Sequence, residues 1–401
     1  MIKTIKLIYQ RLLKKTSLSK SRYLLQSFSL KDRLTGLVGP RGAGKTTLLL
    51  QYIRSKLNPA QVLYFSADHI YFENTTLYAF IEECYLHDGI QTFFIDEIHQ
   101  YKNWSQELKN IYDGFPDIRI VFSGSSSLDI THGTYDLSRR AKMYHLPGMS
   151  FREYLAMMHN ITLDKISLND LLAHPENHNH LLSDIPGIQG FFNNYLMHGV
   201  YPFNSENPES YHEKLLEVID KTIYEDIANF YQLNTGNLHL FKKILYYLAS
   251  ISPGECNVHR FSQYLQVDDK TTLHYLTKLE AVGLIHLIYS ASSGNAVLQR
   301  PEKIFLNNTN LQYAIEGILP KKINVGTVRE LFLIQSVRDA GFPVFYSKQG
   351  DYQVRDHVLE IGGKNKTRKQ IAGIEKSIVV KADILTAQKS EIPLVWFGFL
   401  Y

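Results

Sequence analysis

The residues Gly39-Pro40-Arg41-Gly42-Ala43-Gly44-Lys45-Thr46 fit the spacing G-x-x-x-x-G-K-[ST]. Glycines let a backbone wrap tightly enough for its N–H groups to converge on one point, which suits the oxygens of a phosphate chain. The helical stretch KTTLLLQYIRSKL follows at once and would add its positive N-terminal end. Lys45 is expected between the β- and γ-phosphates and Thr46 on magnesium. Gly39 to Thr47 together form the expected cradle for ATP. A ligand-free glycine turn is the plainer alternative. The motif leaves an apolar strand and opens a helix, which is the context a phosphate site needs.

TFFIDE supplies matching acids. Asp96 ends an apolar run, where it can hold magnesium, and Glu97 can polarise an attacking water. IVFSGSSS offers Ser123, Ser125 and Ser126 at the next strand end, with Ser125 expected to sense the γ-phosphate. Asp68, closing YFSAD, borders the same cleft, as magnesium contact or helix cap. His99 reads as a packed structural histidine, and Trp104 with Leu108 as core.

These groups need a sheet whose strand ends gather them. LTGLVG, QVLYFSAD, QTFFIDE and IRIVFSGS alternate with helical stretches, which argues for an α/β domain with a parallel sheet over residues 34–150. Residues 1–33 come before it. MIKTIKLIYQRLLKK reads as an amphipathic helix with Ile2, Ile5, Ile8 and Leu12 on one side, not as a secretory signal. Residues 151–235 read as a helical lid. In 236–324, helical stretches precede two β-rich runs around a Ser/Gly/Asn turn, a winged-helix pattern. Asp268 and Asp269 would cap its third helix. Leu273, Leu276 and Leu279 would face inward, and Lys270, Thr271, Thr272, His274 and Lys278 outward, towards DNA or another domain. In 325–401, the helix VRELFLIQSVRDAG precedes strand-like runs PVFYSK, YQVRDHVLEIGG and PLVWFGFLY.

The whole chain has 401 residues, 44% hydrophobic and 20% charged, an ordinary globular composition with room for several domains. A net charge of +4 permits nucleic-acid contact without arguing for it. The two cysteines, Cys84 and Cys256, show no metal spacing and suggest a reducing, cytoplasmic setting. No apolar run approaches a membrane span, so no membrane partner is expected.

GLVGPRGAGKTTLLLQY, FIDEIHQYKNWSQELKNIYD, FSGSSSLDI and LSRRAKMYHLPGMSFREYL together resemble the prokaryotic AAA ATPases that carry a C-terminal nuclease-like domain of unassigned function. The resemblance continues through SKQGDYQV and EIGGKNKTRKQI, over nearly the whole chain. It implies an AAA-type core, a winged helix and a C-terminal α/β domain similar to PD-(D/E)XK (restriction-endonuclease-like) nucleases, but no substrate. It also implies an arginine after the sensor strand that reaches a γ-phosphate in the same or a neighbouring subunit. Arg139 and Arg140 fall there, and the pattern favours Arg140. For the nuclease-like domain it implies an acid, a Glu-x-Lys string and a helical glutamate. The candidates are Glu330, Asp351, Glu360 and Lys364, with Gln370 a further one. Glu360-Ile-Gly-Gly-Lys364 departs from that spacing, so Lys364 would need a bulge to reach a metal.

The first functional reading is a magnesium-dependent ATPase acting on nucleic acid. The second is a nucleotide-switched, protein-binding module with an inactive nuclease-like domain. The third is an ATP-dependent nuclease. DNA, RNA, a protein partner and self-association all stay open.

Overall fold

Leu34–Val38 is apolar and buried along its whole length, and forms β1, the strand from which the glycine loop departs. The computed structural model describes residues 2–124, 137, 139–205, 209–228, 235–252, 257–291, 300–319 and 324–401. They fall into two compact units, Met1–Gly148 and Met149–Tyr401.

In the first unit, β1 is joined by Val62–Ser66 (β2), Thr92–Asp96 (β3), Arg119–Gly124 (β4) and Ala141–His145 (β5). The five-stranded order is β2-β3-β4-β1-β5, and every pairing is parallel. All strand carboxyl ends therefore share one edge, where such sheets bind ligands. Helix α1 (Ile2–Lys15) packs on β2 and on α2 (Lys45–Lys56), while α3 (Leu77–Asp88) packs on α4 (Trp104–Gly114). Burial in α1 runs through Ile5 and Tyr9, while Ile8, expected on the inner side, is 40% exposed. The spacing i, i+4 carries the stripe from Ile5 to Tyr9 and leaves Ile8 at its margin. Trp104 and Leu108 are core, as expected. β5 was not foreseen, because Ala-Lys-Met-Tyr-His is a half-exposed edge strand with no apolar run.

In the second unit, helices α5 (Phe151–His159), α6 (Ile188–His198) and α7 (Tyr211–Lys221) lie in the stretch expected as a lid, and they belong to this unit. Then come α8 (Leu238–Ser250), α9 (Val258–Leu265) and α10 (Asp269–Ala281). β6 (Ile285–Ile288) and β7 (Lys303–Leu306) pair antiparallel. Asp268 caps α10 through Thr271 N at 2.9 Å. Thr272 and Lys278, expected on its outer face, are buried, and burial holds the Lys278 pKa down. Helix α11 (Thr309–Glu316) ties the unit together: its buried Asn310 accepts from Val200 N at 2.8 Å and donates to Leu196 O at 2.8 Å.

Helix α12 (Val325–Asp339) leads into a separate five-stranded sheet. Its strands are β8 (Phe345–Tyr346), β9 (Tyr352–Val354), β10 (His357–Gly362), β11 (Ser377–Lys381) and β12 (Glu391–Pro393), in the order β12-β11-β10-β9-β8. PLVWFGFLY is not a strand. Pro393 ends β12, and Leu394–Phe399 forms a 3-10 helix buried along its length. Such burial erases the alternation that marks a strand, and proline withholds a ladder donor. No helix among the described residues is long and apolar enough to cross a membrane.

Candidate functional site

The glycine loop sits between β1 and α2. Gly42 and Gly44 adopt φ of 81° and 93°, which favours glycine, and Gly44 stands at the N-cap of α2. Gly39 is required by close approach instead: a Cβ there would lie 2.1 Å from the Leu146 carbonyl oxygen. Lys45 is buried and donates from Nζ to Gly39 O at 2.8 Å and Pro40 O at 3.0 Å. Arg22, from the stretch before β1, is also buried. Its guanidinium donates to Ala43 O at 2.5 Å, Pro147 O at 2.9 Å and Gly148 O at 3.0 Å, fastening the loop to the chain after β5.

Asp96 is the hub. Its Oδ2 accepts from the Thr46 hydroxyl at 2.5 Å and the Tyr64 phenol at 2.6 Å. Its Oδ1 accepts from Glu97 N at 3.1 Å and from the Ser123 hydroxyl. Thr46 comes from the start of α2, Tyr64 from β2 and Ser123 from β4, so this contact set exists only because β3 lies between β2 and β4. Burial, and then the Asp96 charge, push the Tyr64 phenol far up, so it remains a donor.

Glu97 takes a left-handed conformation, φ 50° and ψ 40°, which turns the chain sharply after β3. Burial pushes its pKa up and the Asp96 charge adds to this, while Lys45, His99 and Arg41 pull it down. Its Oε2 lies 3.5 Å from His99 Nε2 and has no hydrogen-bond donor among the described residues. His99 is thus beside the acid, not merely packed under it. A carboxylate in this setting can take a proton at a pH above the usual carboxylate range.

Arg140 does not reach this edge in its own chain. It immediately precedes β5, whose Ala141 aligns with Leu34 and whose His145 aligns with Val38. At about 3.3 Å per residue, β5 separates Arg140 from the glycine loop by roughly 15 Å. It lies 3.5 Å from Asp113 and over the Tyr112 ring. Of the two placements left open for this arginine, the same or a neighbouring subunit, the parallel register puts Arg140 at the end of the sheet away from its own chain's glycine loop. Arg139 is exposed beside it, and Asp68 is exposed after β2. Ser125 and Ser126 lie outside the described residues. Sequence reasoning missed Tyr64, Arg22 and His145. His145 is exposed by area, yet surrounding protein atoms and then the Lys45 charge hold its pKa below the usual imidazole value, marking it as a neighbour of the loop.

A second polar cluster lies in the other unit. Asp351 precedes β9, and its Oδ2 accepts from Ile361 N on β10 at 2.8 Å. Glu360, on β10, is 1% exposed; burial above all, and the Asp351 charge to a lesser degree, push its pKa up, while Lys366 and Lys303 oppose this. Glu330 on α12 accepts from the Tyr352 phenol and from Lys303. Asp351 and Glu360 are thus neighbours, with Glu330 approaching Asp351 through Lys303. Lys364 is exposed and makes no ion pair among the described residues. Lys366 pairs with Glu360 instead and donates to Gln370 Oε1 at 2.9 Å. Gly362 makes this possible, since a Cβ there would meet the Lys366 stem at 2.6 Å.

Residues 31–155 match the family model of the AAA domain. This match spans β1 to β5 and, with the parallel sheet, supports an AAA-type P-loop ATPase. Families of this domain are generally ATPases, which implies nucleotide binding, with magnesium typical. Residues 189–322 match a domain of unknown function, DUF8612. The chain is 27% identical over 406 residues to the uncharacterized protein MJ1637 of Methanocaldococcus jannaschii, covering 92% of this chain and 85% of that one. A solved katanin chain, from work titled "Structural Basis for Katanin Self-Assembly", aligns at 18% identity and a TM-score of 0.25, over 41% of this chain and 59% of that one.

Proposed function

We propose that the chain binds ATP with magnesium at Gly39–Thr47 and hydrolyses it. The observation that carries this reading is the convergence of Thr46, Tyr64 and Ser123 on Asp96, directly beside the buried Lys45. These residues fit the group: the glycine conformations open a backbone cradle, and Thr46 and Asp96 offer oxygens that would hold magnesium. Magnesium, when bound, neutralises charge on the phosphate oxygens. Lys45 exchanges its carbonyl partners for phosphate oxygens, and Glu97, with an unpartnered oxygen beside them, takes the proton of the attacking water. Ser125 would sense the γ-phosphate at the end of β4. Arg140 would serve only the site of a neighbouring copy.

The test is ATP hydrolysis by the full chain with magnesium. Glu97→Gln should keep nucleotide binding and slow turnover by about 100-fold or more. Lys45→Ala should weaken binding by roughly 10- to 100-fold, the worth of charged hydrogen bonds. Undiminished turnover in Glu97→Gln would remove Glu97 from the mechanism.

The second unit supports a second reading, a nucleotide-switched module that binds a partner through an inactive nuclease-like domain. Helices α8 to α10 followed by the β6–β7 pair support a winged helix, and the mixed sheet after α12 supports the nuclease-like fold. Lys364 is exposed and the lysine that pairs with Glu360 is Lys366, and this departure from the Glu-x-Lys spacing favours inactivity over cutting.

A further inference from the structure

Arg22 is a buried cation at the glycine loop that lies outside the loop's own motif. It is 4% exposed, and its guanidinium divides between two stretches of main chain. Nη1 donates to the Ala43 carbonyl, inside the loop, at 2.5 Å. Nη2 donates to Pro147 O at 2.9 Å and to Gly148 O at 3.0 Å, after β5. A planar, rigid fork can hold both stretches at once. The segment that carries Arg22 is itself pinned to the phosphate helix. Gln51, buried on α2, donates from Nε2 to Ser17 O at 2.8 Å and to Lys20 O at 2.7 Å. Just beyond Arg22, the Phe28 ring packs on Tyr52 of α2 and Tyr144 of β5, with ring centres 5.1 and 4.8 Å apart.

What the fork fixes is the plane of one peptide. The unit between Ala43 and Gly44 is planar and trans, so its C=O and its N–H point in opposite directions. Turning that plane over needs rotation about the Ala43 ψ and the Gly44 φ. Gly44 stands at φ 93°, and a glycine accepts negative φ as readily as positive. The local chain therefore does not choose between the two orientations of the plane. The bond from Arg22 does, because a flip would take the Ala43 carbonyl off a guanidinium and break a charge-assisted hydrogen bond. With the carbonyl held on Arg22, the Gly44 N–H is turned to the opposite side, as a phosphate cradle of backbone amides requires.

We propose that Arg22 is a positioning residue for nucleotide binding: by holding the Ala43 carbonyl, it aims the Gly44 N–H at the phosphate chain of ATP or ADP. This rests on the reading of Gly39–Thr47 as the ATP site and adds to it a residue from the segment before β1. Arg22 supplies geometry as well as charge. A lysine there keeps the charge, but one nitrogen replaces the two that now serve Ala43 and the Pro147–Gly148 stretch.

The test is calorimetry on the full chain with magnesium and either ATP or ADP. If the unaltered chain binds neither, the ATP reading itself fails. If it binds them, Arg22→Lys should weaken both alike, by about 10-fold each, the worth of one charge-assisted hydrogen bond. Equal affinity in Arg22→Lys and the unaltered chain overturns the proposal. A second measurement reads the amide directly. Alanine labelled with 13C at the carbonyl and glycine labelled with 15N select the pairs Ala43-Gly44, Ala340-Gly341 and Ala372-Gly373. Saturating ADP should move one of these amide protons downfield, as a hydrogen bond to phosphate does, and Arg22→Lys saturated with ADP should lose that shift. A purely structural Arg22 would leave the shift in place once ADP is saturating, which overturns the proposal. So does an unaltered chain that binds ADP with no downfield shift at any of the three, an outcome that holds even if Arg22→Lys does not fold.

Discussion

The Tyr64 phenol and the Thr46 hydroxyl donate to the same oxygen of Asp96, at 2.6 and 2.5 Å. Tyr64 thereby links the second strand of the sheet to the first turn of the phosphate helix through one carboxylate. Tyr64→Phe removes the donor and little volume. It should cost about 1–3 kcal/mol of stability, as expected for a hydrogen bond to a charged group. It should also raise the magnesium concentration needed for half-maximal ATP binding, because Asp96 is held less firmly. Denaturant titration and a magnesium series check the two effects, and an unchanged result in both would mean the contact does not form in solution.

Glu97 should show its burial as pH dependence. Its folded pKa lies above the ordinary value of 4.5, so the folded chain holds this proton more tightly than the unfolded chain does. The sign follows: stability falls as pH rises from the unfolded value through the folded one, and the charged carboxylate is a burden at neutral pH. Glu97→Gln should therefore raise the melting temperature at pH 7–8, with the gain shrinking towards pH 4. The rate of ATP hydrolysis should fall on acidification at a pH above the usual carboxylate range. A melting curve for Glu97→Gln that tracks the unaltered chain at every pH would show the carboxylate to be solvated instead.

Two glycines separate close approach to backbone from close approach to side chains. At Gly39 an added Cβ meets the Leu146 carbonyl oxygen at 2.1 Å, and main chain cannot swing aside. At Gly36 it meets Met143 Sδ at 2.5 Å and the Phe122 ring at 2.9 Å, and the Met143 side chain lies on an edge strand. Gly39→Ala should cost about 3 kcal/mol and abolish ATP binding, whereas Gly36→Ala should cost about 1 kcal/mol and leave binding in place. Equal loss in the two, by calorimetry and melting, would refute the distinction.

His286 should make the second unit sensitive to acid. It is buried, with Nδ1 3.1 Å from the Arg338 guanidinium, and burial first and the Arg338 charge second push its pKa down to about 3. The unfolded chain takes up this proton near pH 6.5 and the folded chain does not, so stability is full above that pH and declines as pH falls towards 3. At pH 5 the loss is about 2 kcal/mol from this group alone. His286→Gln should flatten the decline between pH 6.5 and 4 in urea titrations. An equally steep decline would place the acid sensitivity elsewhere.

The nucleotide loop was legible because its signal is local. Gly39 to Thr46 are contiguous, the strand before and the helix after carry their own periodicity, and Asp96 with Glu97 closes an apolar run that only a strand explains. The sheet in the first unit followed from the same runs, apart from β5, whose edge position leaves one side wet and its sequence mixed.

What tertiary structure decided are relations between distant residues and the direction of strands. Arg140 looked close to the γ-phosphate in sequence, yet β5 runs parallel to β1 and carries it to the opposite end of the sheet. Lys364 was the nearest lysine to Glu360 along the chain, yet Lys366 fills that place, because Gly362 clears a path for its stem, while Lys364 lies past the end of β10 and is exposed. Lys303 reaches Glu330 and Asp351 only through packing of the hairpin against α12 and the sheet. Periodicity and motif spacing report on chain geometry within a few residues. Ion pairs between elements depend on how whole layers stack, and burial makes those pairs obligatory without leaving a local trace.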